Sequence, residues 1–459
     1  MVKGLIYNQI HFLLLFSSFI LGNEINKEFG HFIIAANYLL IILQFVINSK
    51  DRSRILFSPS FLTVSYISVF LILGSFIFKS GIVFSKTYIH HYESWNHCHL
   101  INLFFMLCNL AAMHSLRLPS LTIRKKPKDS ISDLKIYLII SIIIILTFSF
   151  LRNYLSMIIG GYVGQVQTFF FLLISYILLK KDNKYRYFFY FIIVLYFSII
   201  SPFGKRAAAQ FFVSLSFLES IRYFHINLNL KKIISISLVT VVFFSIIIYM
   251  SIRRGYGDFE INNIFQPFKY IPEYISNDNF AKLFAENLEL NYTYFHSNQS
   301  VNYAIEDLNN ISLGSTIIKP IFIFIPRSTF EKKPDSMIKI YTSKFDKHFY
   351  NRGGSYPICL YSEFFWNFHY LGIFFIFILF YLINQLYLRL VYHVRNDSSL
   401  KFIWLLFFYH YFLVYVRGSG LDLFFIYILI GWFINECLNF TLKLLKIPNI
   451  KQPMTSRIS

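Results

Sequence analysis

Continuous apolar runs, each long enough to cross a lipid bilayer, restrict this chain more than any other feature. A helix needs about 20 apolar residues to traverse a hydrocarbon core of ~30 Å. Only helices or closed barrels satisfy their backbone there, and runs without alternation select helices. Twelve are legible, at about 4–22, 31–48, 60–79, 98–115, 134–151, 163–180, 187–202, 206–224, 231–250, 358–382, 400–416 and 421–438. The eighth is the most polar, opening on Lys205 and Arg206 and carrying Glu219. The first run lacks a small-residue cleavage site and is expected to be kept as a helix. Charged residues are only 14% of the chain, against about 25% in soluble proteins. The expected fold class is an all-α polytopic integral membrane protein. A soluble domain, a disordered tail and a secreted disulfide scaffold are excluded. Cys98 and Cys108 fall on one expected helix, roughly 15 Å apart at ~1.5 Å per residue, too far to bond.

A net charge of +20 suggests nucleic acid in a soluble chain. Here its cause is sidedness, and no nucleic-acid partner is expected. With both termini placed in the cytoplasm, 24 Lys and Arg fall on cytoplasmic segments, seven on short outer connections and 12 in one long outer segment. Short loops set orientation and long ones cross largely regardless of charge. The expected organisation is therefore helices 1–9 over residues 1–250, a large outer loop over 251–357, and helices 10–12 with a cytoplasmic tail over 358–459. That loop is rich in Tyr, Phe and Asn. Its piece LGSTIIKPIFIFIP (313–326) is too short to span and ends in Pro, so it reads as re-entrant or interfacial.

The motifs of most soluble enzymes are missing: no GxxxxGK(S/T), GxGxxG, HExxH, CxxC pair or GxSxG occurs. Chemistry must then use charged groups at the outer membrane surface. Arginines collect beside outer helix ends: Arg253 and Arg254 in SIRRGYGDFE, Lys205 and Arg206 in SPFGKRAAAQ, Arg327 in FIPRSTFEKKPDS, Arg352 in NRGGSYP and Arg417 in VRGSGLD. Guanidinium binds phosphate oxygens bidentately, so a converging set suits a lipid diphosphate. The plainer alternative is snorkelling or solvated charge. Glycines nearby, among them Gly418 and Gly420, allow a ligand close to the backbone or simply make turns.

Glu363, in GGSYPICLYSEFFWNFHYLG, is the acid–base candidate. Placed about five residues into an expected membrane helix, it must face a cavity or a partner. Asn367 shares its helical face, and Tyr356 and Tyr370 lie near in sequence. The alternative role is partner to one arginine. Asp258 and Asp422 are rivals, and Asp422 is close enough in sequence to pair with Arg417. Glu219 and Glu436 are expected to reach water at cytoplasmic ends. HHYESWNHCH (90–99) matches no standard zinc ligand spacing, so no metal is expected, and His369 reads as a core or interface histidine.

The combination of many helices, one long outer loop, PRSTFEKKPDS (326–336) and NRGGSYPICLYSEFFWNFHYLG (351–372) resembles the Wzy-type O-antigen polymerases, or oligosaccharide repeat-unit polymerases. The likeness covers the architecture of the whole chain, and its specific part runs from RRGYGDFE to the tenth helix. Asn367-Phe368 is followed here by His369 where the family commonly has Gly. The resemblance implies a membrane glycosyltransferase of the GT-C-like class in the bacterial inner membrane, its large loop periplasmic. It implies transfer of a growing glycan from undecaprenyl diphosphate to a sugar of a new lipid-linked unit, without cofactor or metal. On this expectation Glu363, Arg254 and Arg327 are catalytic. Lys205, Arg206, Arg253, Arg352, Tyr356, Asn367 and Arg417 bind substrate. Expected partners are membrane lipid, a chain-length regulator and a flippase. An O-antigen ligase, a polysaccharide flippase or transporter, and an acyltransferase using His90, His91 or His369 are the rivals.

Overall fold

The computed structural model describes residues 52–79, 96–117, 131–159, 162–200, 205–223, 244–253, 265–278, 290–322, 334–396, 400–416 and 420–445, with a few isolated positions between. Every regular element among them is helical. Five helical stretches are long and apolar enough to cross a bilayer: Pro59–Ile77, Asp133–Phe150, Val163–Lys180, Leu360–Arg395 and Leu421–Leu444. Shorter apolar helices, Cys98–Ala112, Arg186–Phe197, Phe244–Arg253 and Ile403–Val416, accompany them, and the polar eighth segment is helical over Lys205–Tyr223. The regular structure of the described residues is thus all helical, and its long apolar helices suit a membrane-embedded protein. The first two expected spans, 4–22 and 31–48, lie outside the described residues save Ala36 and Leu39.

Lipid tails give helices no hydrophobic reason to associate, so packing and interhelical hydrogen bonds, each worth about 0.6–2 kcal/mol, hold a bundle together. Rings fill much of this core: Phe169 meets Phe407 at 5.5 Å, Phe105 stacks on Tyr361 at 5.6 Å and Phe380 meets Phe412 edge-on at 5.9 Å. Buried amides tie helices distant in sequence. Asn384 donates to Ser60 at 2.9 Å and Asn109 donates to Tyr361 at 2.9 Å. Ser214 bonds His410 at 3.1 Å. The four cysteines are free.

The basic helix ends gather at one end of the bundle. There Tyr387 donates to the Arg54 carbonyl (2.7 Å), Tyr176 to the His393 carbonyl (3.0 Å) and Arg222 to the Lys180 carbonyl (3.5 Å). Glu219 does not reach water as expected. It is buried against Arg186 at 2.8 Å, with Tyr190 donating to it at 3.1 Å. That pairing explains how an apolar bundle tolerates a glutamate here.

Two expectations at the opposite end are corrected. The tenth segment, 358–382, is not one rod. A nine-residue helix, Leu360–Phe368, ends at His369, whose φ of 51° reverses the chain, and a second helix runs Gly372–Arg395. A Cβ on Gly372 would lie 2.7 Å from the Phe364 carbonyl oxygen. Residues eight apart on a straight helix are ~12 Å apart, so the short helix folds back onto the long one. The second correction concerns 251–357, which is not merely a loop. Leu290–Glu306 is a helix packed on Pro59–Lys79, on Leu360–Phe368 and on Asn96–Ala112. It buries Thr293, His296, Ser297, Asn298 and Ser300, a polar face that apolar periodicity does not reveal. Within the expected re-entrant stretch, Ser315–Ile318 and Lys319–Phe322 form two short helical turns against the last helix.

Candidate functional site

The short Leu360–Phe368 helix is placed by three different segments. Ser297 of the polar helix accepts the Cys359 N–H through its hydroxyl (2.8 Å) and the Ser362 hydroxyl through its carbonyl (3.0 Å). Trp366 donates to the Asn310 carbonyl (2.8 Å), and its own carbonyl accepts from Ser312 N–H (3.0 Å). Asn367 donates to Thr316 Oγ1 and to the Glu363 carbonyl, both at 2.8 Å. Asn367 is therefore on the expected face, where it locks the end of the helix.

Glu363 is 2% exposed. Its Oε1 accepts the Leu421 N–H at 3.3 Å, where the last helix begins. Helix N-termini favour negative charge. Asp422, also 2% exposed, lies within electrostatic range of Glu363. The expected pairing of Asp422 with Arg417 falls on a residue outside those described. The Asp422 carboxylate accepts from the Lys319 ammonium. The turn between the last two helices brings this about. Gly418 (φ 106°) packs so closely that a Cβ would lie 1.9 Å from the Ile358 carbonyl oxygen. At Gly418 the close backbone approach is thus to the chain itself. Among the described residues two carboxyls here share one ammonium, and an acid–base group belongs to this kind of cluster.

The expected cationic residues are placed differently. Arg206 is exposed in the first turn of Lys205–Tyr223, and Tyr427 of the last helix feels both Arg206 and Asp422. Arg206 thus shares an end of the bundle with Glu363. Lys205 opens the same helix, its side chain outside what is described. Arg253 ends its helix with its guanidinium 5.9 Å from the centre of the Tyr249 ring. Arg352 is exposed and bonded to His348. Arg254, Arg327 and Arg417 lie outside the described residues, as does Asp258.

Tyr356 is engaged in the helices that follow 290. It stacks on His296 at 3.9 Å and donates to Asp346 at 2.7 Å. That bond and the Phe349 N–H hold the Asp346 carboxyl below the usual range, while burial pushes the His296 imidazole down to about 3. His99, from the histidine-rich stretch, bonds Tyr294 at 2.9 Å and ties the polar helix to a span. His369 forms the chain reversal.

Lys319 and Thr316 were not singled out by sequence reasoning. A signal existed, since a lysine inside the apolar stretch IIKPIF needs a partner to lie at a membrane. No family model matches the chain, and searches of curated proteins and of solved structures return no match.

Proposed function

We propose that this chain is a membrane glycosyltransferase that polymerises oligosaccharide units carried on undecaprenyl diphosphate, an O-antigen polymerase of the Wzy type. One observation carries the reading. A buried carboxylate, Glu363, sits beside Asp422 and Lys319 at the bundle end opposite the basic helix ends, beneath helices drawn from 290–351. The charge count orients that end toward the periplasm of a bacterial inner membrane, with about 12 spans and both termini cytoplasmic. A GT-C-like arrangement belongs to the same reading.

The reaction is then a glycosyl transfer. The acceptor hydroxyl oxygen bonds to the anomeric carbon of the growing chain, whose bond to the diphosphate oxygen breaks. The electron pair leaves with the lipid diphosphate, and Glu363 takes the hydroxyl proton. Arg206, Arg253, Arg254, Arg327, Arg352 and Arg417, with Lys205, are the cations assigned to the leaving diphosphate, whose developing charge they offset. Chain-length regulator and flippase remain the proposed partners.

The test uses a strain lacking the chromosomal copy. Arg254→Ala, Arg327→Ala and Glu363→Gln each abolish long polymer, leaving single-unit lipopolysaccharide, while protein abundance persists. Normal ladders from all three overturn the reading, and accumulation of lipid-linked polymer on deletion identifies a ligase instead. A second reading, a flippase or transporter, draws on the helix broken at His369 beside a buried Lys–Asp–Glu cluster, a device transporters use. It predicts lipid-linked single units trapped on the cytoplasmic leaflet after deletion.

A further inference from the structure

Tyr415 stands one residue before the end of helix Ile403–Val416. Its ring lies flat against Phe424 of the last helix, centroids 5.2 Å apart and planes 11° apart, which fixes where the phenol points. The phenol is within electrostatic range of both Glu363 and Asp422. Its hydroxyl is buried, the residue being 1% exposed, and among the described residues it has no hydrogen-bond partner. Buried hydroxyls are nearly always satisfied, and an exception needs a reason.

The geometry points to a hydroxyl-binding subsite between Tyr415 and Glu363, which takes a neutral sugar alcohol of the acceptor. A ligand hydroxyl can do both things the site needs. Its oxygen accepts the Tyr415 O–H, and its proton is donated to the Glu363 carboxylate. Among the described residues these two carboxyls have one ammonium between them, that of Lys319, which favours a neutral hydroxyl over an anion. The ligand assigned to this site is the acceptor hydroxyl. The inference rests on the transferase reading for the word acceptor, while the choice of a hydroxyl rests on the unpartnered Tyr415 O–H and its two carboxyl neighbours. Tyr415 is a further binding and positioning residue that neither sequence motif nor charge pattern indicates.

The test compares wild type with Tyr415→Phe, which removes one oxygen and keeps the stacked ring. Binding of neutral tri- to pentasaccharides and of inorganic pyrophosphate to the purified full chain is measured by titration, alongside thermal stability and acceptor KM. The expected result is saccharide affinity at least ~10-fold weaker in Tyr415→Phe, pyrophosphate binding unchanged, acceptor KM raised with kcat less affected, and thermal stability equal or higher. A purely structural tyrosine gives the opposite pattern, lower stability with saccharide affinity intact, and overturns the subsite. Saccharide binding absent from the wild type also overturns it. Tyr415-dependent saccharide binding without any glycosyl transfer by the wild type overturns the transferase reading and leaves the subsite standing.

Discussion

Lys319 bonds Asp422 across 103 residues of sequence, and through it the turns at 315–322 are pinned to the first turn of the last helix, beside Glu363. An ammonium from a nominal loop thus sits against a carboxylate of a membrane helix. Both groups are largely buried, with side chains 17% and 3% exposed.

Removing that ammonium should cost more than the bond is worth. Lys319→Met takes from Asp422 and Glu363 the ammonium that Asp422 is bonded to, and breaking a buried pair costs roughly 3–5 kcal/mol. Thermal unfolding in detergent should show a large drop for Lys319→Met. Lys319→Met with Asp422→Asn should recover at least half of it. Additive losses would mean that the pair is not coupled.

Glu363→Gln preserves volume and the hydrogen bond from Leu421 N–H but cannot take a proton. Polymer formation should fall by at least ~10²-fold, the usual contribution of a general base. Melting temperature should change little. A gel of the surface polysaccharide together with a melting curve reads both.

The opposite end supplies a contrast. Arg186→Met strands Glu219 and removes its bond at 2.8 Å. The expected loss is again about 3–5 kcal/mol. Polymer made per folded molecule should be unchanged, since no contact joins this pair to the Glu363 cluster among the described residues. A fall in specific activity at normal protein level would contradict that separation.

Acid should loosen the helices above Glu363. His296 titrates at about 3 when folded and 6.5 when free, so the unfolded chain binds more protons between these values. Stability contributed by the neutral imidazole is whole above pH 6.5 and declines as the pH falls toward 3, by at most about 1.4 kcal/mol per pH unit. Asp346, also held low, acts with the same sign in more acid solution. His296→Phe should flatten the dependence of melting temperature between pH 6.5 and 5. A slope identical to wild type would show that the imidazole is not buried neutral.

Five long apolar helices and the burial of Glu363 were legible because both rest on local rules: apolar length for the helices, and the cost of a carboxyl in lipid for the acid. Leu290–Glu306 was not legible, because its buried face carries Thr293, Ser297 and Asn298. The value of Ser297 lies in a hydroxyl that accepts the Cys359 N–H, far away in sequence. The break at His369 was hidden because aromatic and aliphatic residues dominate the sequence on both sides of it. The partners Lys319–Asp422 and Arg186–Glu219 are tertiary facts. Each lone charge announced a need for a partner, and none named it. Arg206 lies at the same end of the bundle as Glu363, whereas Arg352 and Tyr356 are engaged with His348 and with His296 and Asp346.

The chain reversal at His369 separates the acid mechanically from the membrane. Glu363 rides on a short helix tethered to Ser297, Asn310, Ser312 and Thr316, whereas the long helix after the reversal answers to the lipid around it. A thicker or thinner bilayer tilts the long helix and leaves the acid where its tethers hold it. Reconstitution in lipids of graded acyl length should accordingly shift the tilt of Gly372–Arg395 while turnover stays level.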